Sequence, residues 1–463
     1  MNMDKVFQKI KYIIPLLNNY LLLKLFDSTN TEGIYITKRI YKPFDALSVC
    51  TNYSNKIKMT TISECSGDDI LTVEDLKSMV RHSIRKIICK EELITYKVSV
   101  KDLSTNGGNY FGSLQTVTVN GKTKNGEEKE LNIFLKTIIQ ASKNFPVFSV
   151  PKMYQREGFL YKEIFKYFKT VEDKYNIPHE DRLRTVKVFS ETNSEVIILE
   201  DITKLGFKTN DRFEVMHMKF AELAIEQLAK LHAVSFVIQN EDPKYFENNI
   251  KSLHSLVQVN SHTQDHHKRT YNIAIETLED EAKIKFDNYY PTIKEKFLKM
   301  YRNSSEGAIC LVHGDYRPNN ILVKDVDGVP SAVFPVDYQL ASFDNPILDF
   351  IFFIFLGTDQ KFRKQHLEHL KNVYYSNFES FLSKFGVEAA KVYSKEQFDE
   401  QFKDKVDLGL MYFLCFMPFI FARTDAVPEL DNGLEYVVPY NLDECYKDRL
   451  YGIVDDLIQW GYM

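Results

Sequence analysis

His313-Gly314-Asp315-Tyr316-Arg317-Pro318-Asn319-Asn320 runs into the apolar stretch Ile321-Leu322-Val323 and Lys324. A polar turn around Asp327-Gly328 follows, then a second apolar stretch, Ala332-Val333-Phe334-Pro335-Val336, that ends at Asp337. The pattern reads as loop, strand, turn, strand. An Asp-Gly turn between two short apolar runs predicts an antiparallel hairpin, which lays the start of the first strand beside the end of the second. Asn320 and Asp337 then meet. An amide oxygen and a carboxylate at one end of a hairpin are the hard oxygen ligands that magnesium on a nucleotide prefers. Asp315 lies five residues upstream of Asn320, in the loop feeding the same end. A carboxylate there is placed to take the proton of an attacking hydroxyl while a metal neutralises charge on the transferred phosphate. A lone H-x-D is more often a solvated turn, so the reading needs its other parts elsewhere in the chain.

The spacing H-G-D-x-x-x-x-N, followed by a strand ending in Val336-Asp337-Tyr338-Gln339, resembles the catalytic loop and metal aspartate of small-molecule kinases. These are the aminoglycoside and choline kinase-like relatives of protein kinases. More narrowly, Val312 to Asn320, Val336 to Gln339 and Asn345-Pro346-Ile347-Leu348-Asp349 resemble the insect ecdysteroid kinase-like family. That family usually carries a large aromatic where this chain has Arg317, and a basic residue where it has Ser342. Neither departure falls at a metal ligand or at the base, so both are expected to bear on substrate contacts rather than on the chemistry. The resemblance implies ATP and Mg2+ as cofactors and a small-molecule alcohol of the ecdysteroid type as acceptor. It makes Asp315 the base and Asn320 and Asp337 the metal ligands, and it implies that Asp349 buttresses the catalytic loop.

The 463 residues are enough for two lobes of ordinary size plus an extension. With 59 basic against 64 acidic residues the net charge is −5, which lacks the basic field of a nucleic-acid binder. Cys50, Cys65, Cys89, Cys310, Cys415 and Cys445 are irregularly spaced with no C-x-x-C pair, which fits a reducing, cytoplasmic setting. Ile13 to Phe26 is interrupted by Asn18, Asn19 and Lys24. Leu408 to Ala422 is short of the ~20 residues a membrane span needs and contains Pro418, so no span is expected. The opening residues have no uninterrupted apolar region and no small-residue cleavage site, so no signal peptide is expected either.

Residues 1–70 are outside the resemblance and read as an extension with an amphipathic helical pattern over Val6 to Phe26. Thr72, three residues before Asp75, signals a helix start ahead of Met79, Ile84 and Ile88. Tyr96 to Val100 and the run through Val117 and Val119 read as strands. Gly107, Gly108 and Asn109 lie in the turn between them, where bare backbone N–H groups can cover a triphosphate. Gly121-Lys122-Thr123 is not a Walker motif, because position 116 is Thr116 and a turn rather than a helix follows. The preferred lysine is Lys136, which ends the apolar strand Leu131 to Leu135. Glu163 resembles the helix-borne glutamate that orients that lysine in kinases. Glu157 is its rival on the same helix, and Tyr167 four residues beyond Glu163 matches the family spacing. The family places its hinge at a segment like Leu199 to Ile202, so backbone groups of Glu200, Asp201 and Ile202 would bind adenine.

Leu223 to Ala233 reads as a long helix, on which His232 is a packed, hydrogen-bonded residue rather than a catalyst. His254, His262, His266 and His267 lack the cysteine or paired carboxylates that would complete a metal site, and the same holds for His366 and His369. Helices are expected over Phe362 to Phe385, Glu396 to Phe421 and Asp443 to Trp460. Leu410 to Met417 is apolar nearly all round, either buried in the helical lobe or lining an apolar acceptor pocket beside Asp315. The whole reads as a kinase-like α+β fold in two lobes. A small antiparallel-sheet lobe spans residues 71–202 and a larger helical lobe spans 203–463, with the nucleotide between them. The rivals are a choline or ethanolamine kinase and a nucleotide-binding pseudokinase or scaffold.

Overall fold

Apolar residues recurring along the helix α1 (Ser78–Lys90) bury Val80, Ile84, Ile87 and Ile88 against one face of a sheet. That sheet is antiparallel and four-stranded in sequential order: β1 (Leu93–Leu103), β2 (Gly112–Thr123), β3 (Glu128–Ile138) and β4 (Val196–Glu200). The computed structural model describes residues 76–103, 112–139, 147–302, 307, 309–422 and 441–463. The pattern at Val6 to Phe26, the helix signal at Thr72, and Gly107, Gly108 and Asn109 lie outside the described residues.

Strand side chains alternate, so Ile133 and Leu135 of β3 join the α1 cluster while Phe134, Lys136 and Ile138 take the opposite face. In β4, Val196 and Ile198 face α1, whereas Ile197 and Leu199 join the main core. After β3 comes α2 (Val150–Phe159), then one π turn (Leu160–Ile164), then α3 (Phe165–Lys174).

The larger helical part is built round α4 (Met218–Glu241), which is buried without a break from Gln227 through Ile238. Around it stand α5 (Ser261–Thr277), α6 (Asp280–Arg302), α7 (Pro346–Gly357), α8 (Gln360–Ser383), α9 (Lys395–Lys405), α10 (Leu408–Ile420) and α11 (Cys445–Gln459). The single helix expected over Glu396 to Phe421 is two. Buried Asp407 stands at their joint and accepts from Tyr289 Oη at 2.7 Å and Lys296 Nζ at 2.8 Å. Gly409 lets α10 approach α7, since a Cβ there would stand 2.4 Å from the Phe355 ring. Among the described residues no helix is long and apolar enough to cross a membrane.

His266 and His267 of α5 are buried. The first bonds Cys415 O at 3.1 Å, and the second packs edge-on to Phe297. Among the described residues no group of three or more His, Cys, Asp or Glu side chains is arranged to hold a metal ion, so these histidines form no metal site. Burial pushes the His266 imidazole down to about 4 and that of His267 to about 3. The unfolded chain takes up protons at these rings from pH ~6.5 downward while the folded chain does not, so stability falls with acidity. Each ring contributes about 1.4 kcal/mol per pH unit between pH ~6 and ~4. The thermal midpoint is expected to drop between pH 7 and pH 5, and to drop less in a His266→Gln/His267→Gln double variant. Parallel profiles for the two proteins would exclude the histidines as the cause.

Candidate active site

The deciding stretch folds as the Asp-Gly turn requires. Strands β6 (Ile321–Val326) and β7 (Val329–Pro335) pair antiparallel, and Asp327 and Gly328 both hold positive φ, 53° and 78°. A short ladder, β5 (Cys310–Val312) with β8 (Ser342–Asp344), flanks them. At the open end of the hairpin Val336 N–H donates to Asn320 O at 2.8 Å, so the segments carrying Asn320 and Asp337 run side by side.

The loop before β6 is pinned from below. Asp349, in the first turn of α7, is 2 % exposed and accepts from His313 N at 2.6 Å, Gly314 N at 2.9 Å and His232 Nε2 at 3.2 Å. His232 is completed by Tyr374 Oη at 2.8 Å, and Tyr316 Oη anchors the same loop on Ala224 O at 2.6 Å. Gly314 has φ 78°, and a Cβ there would stand 2.3 Å from Leu340 O, so only glycine lets the loop pass. His313 bridges the loop to the far strand. Its Nδ1 accepts from Asp315 N at 3.3 Å and its Nε2 contacts Val336 O at 3.1 Å. Burial lowers its pKa, so the ring stays neutral with the proton on Nε2.

Asp315 is buried with both carboxylate oxygens engaged: Oδ1 by Arg317 Nε at 3.1 Å and Oδ2 by Asn320 Nδ2 at 2.8 Å. Burial pushes its carboxyl up to about 6, while Arg317 and Asn320 pull the other way and Asp337 adds to the rise. Because the Asn320 amide nitrogen also donates to Asp315 O at 3.0 Å, its oxygen points away from that carboxylate. Asp337 holds a left-handed backbone, φ 68° and ψ 60°, at the end of the second strand. An aspartate adopts it at modest cost.

Across from the hairpin, Lys136 Nζ lies 2.7 Å from Asp337 Oδ1, 2.8 Å from Glu157 Oε2 and 3.1 Å from Gln339 Oε1. Burial works against its charge, but Asp337 and Glu157 outweigh it and hold the ammonium well above its ordinary pKa. Arg156 Nη1 ties α2 to the same loop through Ala341 O at 2.9 Å.

Asp315, Asn320, Asp337 and Lys136 therefore converge, but Glu163 does not join them. The helix-borne carboxylate on Lys136 is Glu157, and Glu163 is exposed in the π turn. The reason is helical phase. Val150, Tyr154, Glu157, Tyr161, Ile164 and Phe168 form the buried stripe, and Glu163 falls outside it. A carboxylate within an apolar stripe was the signal in the sequence, and the spacing to Tyr167 outweighed it. Gln339 on Lys136 and the bridging role of His313 carried no such signal. At the expected hinge, Glu200 N donates to Lys187 O and Asp201 N to Asn132 O, both at 2.9 Å, while the Asp201 carboxylate caps Thr203 N at 3.0 Å. Glu157→Gln is expected to cut nucleotide-dependent turnover about tenfold, whereas Glu163→Gln stays within about twofold. Steady-state kinetics on the two variants check this, and the reverse ranking would restore Glu163.

A cavity of about 50 Å³ opens beside the loop. Gly314 and Leu340 form its rim, and Phe352, Tyr412, Phe416 and Tyr301 supply aromatic walls with Ser342 and Asp344 among the polar groups. The Phe352 ring meets Tyr412 at 4.9 Å and Phe416 at 5.1 Å, edge to face.

A four-stranded antiparallel sheet joined to a larger helical part, with this constellation at the hairpin, defines a kinase-like phosphotransferase. The chain belongs to the ecdysteroid kinase-like family, whose model matches residues 106–387. No curated protein sequence matches it. Among solved structures, the macrolide 2'-phosphotransferase of Brachybacterium faecium has a TM-score of 0.32 and 12% identity over 77% of this chain and 99% of that one. The GDP complex of aminoglycoside 2'-phosphotransferase-IIIa has a TM-score of 0.33 and 12% identity over 73% and 97%. An aminoglycoside-3'-phosphotransferase of type VIII has a TM-score of 0.28 and 10% identity over 70% and 99%.

Proposed function

We propose that this phosphotransferase moves the γ-phosphoryl group of ATP to a hydroxyl of a bulky, largely apolar alcohol of the ecdysteroid type. The observation that carries the reading is the convergence of Asp315, Asn320, Asp337 and Lys136 at the open end of one hairpin, with the cavity beginning one residue away at Gly314. Asp315 accepts the proton of the attacking hydroxyl. Its rotamer is held by Arg317 and Asn320, and its raised pKa brings its basicity nearer the working pH. Lys136, held by Glu157, binds the nucleotide phosphates, and backbone groups of the segment Glu200 to Ile202 take the adenine. Asp337 and the Asn320 amide oxygen are oxygen donors that fit magnesium. The ion would neutralise charge on the phosphates when bound. Gly107, Gly108 and Asn109 would cover the phosphates from above.

The nucleotide lobe of this reading spans residues 71–202 and the acceptor lobe 203–463, with residues 1–70 outside both. A cytoplasmic setting is supported by Cys310, Cys415 and Cys445, none of which forms a disulfide. The acceptor class rests on the family and on the aromatic side chains in the cavity wall, among them Tyr412 and Phe416 of α10. A cationic amino alcohol is the second reading, because four aromatic rings and the Asp344 carboxylate also line the cavity. Competition between 20-hydroxyecdysone, choline and ethanolamine for labelled ATP separates them. The ecdysteroid is expected to have the higher kcat/KM, and preferential transfer to choline would overturn the acceptor while leaving the phosphoryl chemistry in place.

A further inference from the structure

Asp315, Asp337 and Glu157 bring negative charge to the site, where Lys136 and Arg317 are the neighbouring cations. Lys136 is tied to two of the carboxylates and serves the sheet side. Arg317 stands on the other side, between the base and the metal-ligand asparagine. Its N–H donates to Asp315 O at 3.0 Å, and its carbonyl accepts from Asn320 N at 2.9 Å. Its Nε bonds Asp315 Oδ1, its side chain keeps 15% exposure, and its guanidinium has no second protein partner among the described residues. A guanidinium carries five N–H donors in a rigid fork, so the remaining four are available to a ligand beside the base.

Phosphoryl transfer sets a difficulty at this point. The equatorial oxygens of the transferring group are negative, and they approach within a few ångströms of a carboxylate that must itself be ionised to act as base. A cation between the two turns that repulsion into attraction, and a planar fork holds a carboxylate and a phosphoryl group at once. We propose that Arg317 is a phosphoryl-binding residue that also orients the base, an inference resting on the phosphotransfer reading above. Its Nη groups hold the equatorial oxygens while Nε fixes Asp315. As the acceptor oxygen bonds phosphorus, the hydroxyl proton passes to Asp315. The bond to the β-phosphate breaks, and ADP leaves with that bond's electron pair.

The test measures binding of ADP with magnesium, alone and with aluminium fluoride as a stand-in for the phosphoryl group in flight, so no acceptor need be known. In the full-length protein, aluminium fluoride is expected to tighten ADP binding. Arg317→Met is expected to lose that gain by about 10²-fold while its affinity for ADP alone stays within about threefold. Arg317→Lys keeps part of the gain, and added guanidinium restores part of it to Arg317→Ala. Equal tightening in the parent and Arg317→Met, or equal loss for ADP with and without aluminium fluoride, overturns the proposal with the kinase reading intact. A parent protein that binds no ADP sinks that reading and the inference with it. If Arg317→Met fails to fold, Arg317→Lys carries the comparison, and indifference of its fluoride complex overturns the proposal.

Discussion

Asp315→Asn is expected to slow phosphoryl transfer by at least ~10²-fold while nucleotide affinity stays within about threefold. The substitution keeps the shape and removes the proton acceptor. It also places an amide where two donors already point: Arg317 Nε meets one carboxylate oxygen and Asn320 Nδ2 the other. An amide offers an oxygen to one of them only. A small reorganisation of the loop therefore accompanies the chemical loss, and the measurement must separate the two. Calorimetric titration with ADP reports the nucleotide site, and single-turnover transfer reports the chemistry. If single-turnover rates of variant and parent coincide, Asp315 is not the base.

Asp349→Ala is expected to have the largest effect on stability. Its carboxylate satisfies two buried backbone donors of the loop and the buried ring of His232. Truncation leaves all three without that acceptor, at a cost of about 3–5 kcal/mol. For a chain of ordinary stability that is a large fraction of the total. The thermal midpoint should fall by roughly 5–10 °C, and Asp349→Asn, with one acceptor oxygen, should fall between the two. A midpoint within about 2 °C of the parent would show that the loop is held by other contacts.

The hairpin was legible because its turn chemistry is local. Asp327-Gly328 needs two positive φ values, and the apolar runs beside it set the strands. Lys136 was legible because a strand has period two, which sets it opposite Ile133 and Leu135. Asp349 was legible only through the family, since nothing local shows that a carboxylate at the start of an apolar helix will meet a loop over thirty residues earlier in the chain. Glu157 was legible as the rival of Glu163, a carboxylate within the apolar stripe of its helix. The break at Asp407 was not legible, because it depends on Tyr289 and Lys296, more than a hundred residues distant. The cavity wall likewise assembles from α6, α7, α10 and β8, whose meeting no local pattern encodes.

The π turn at Leu160–Ile164 has a consequence for how chain length maps onto shape. Such a turn takes in one residue more than an α turn and lets the helix on either side keep its own phase. Glu157 and Arg156 sit before it, facing Lys136 and Ala341, while Phe165 and Phe168 sit after it in the main core. A relative one residue shorter here, with an unbroken α-helix, would superpose at both ends of the rod. An alignment that forbids a gap inside the helix would be one residue out of step on one side of it.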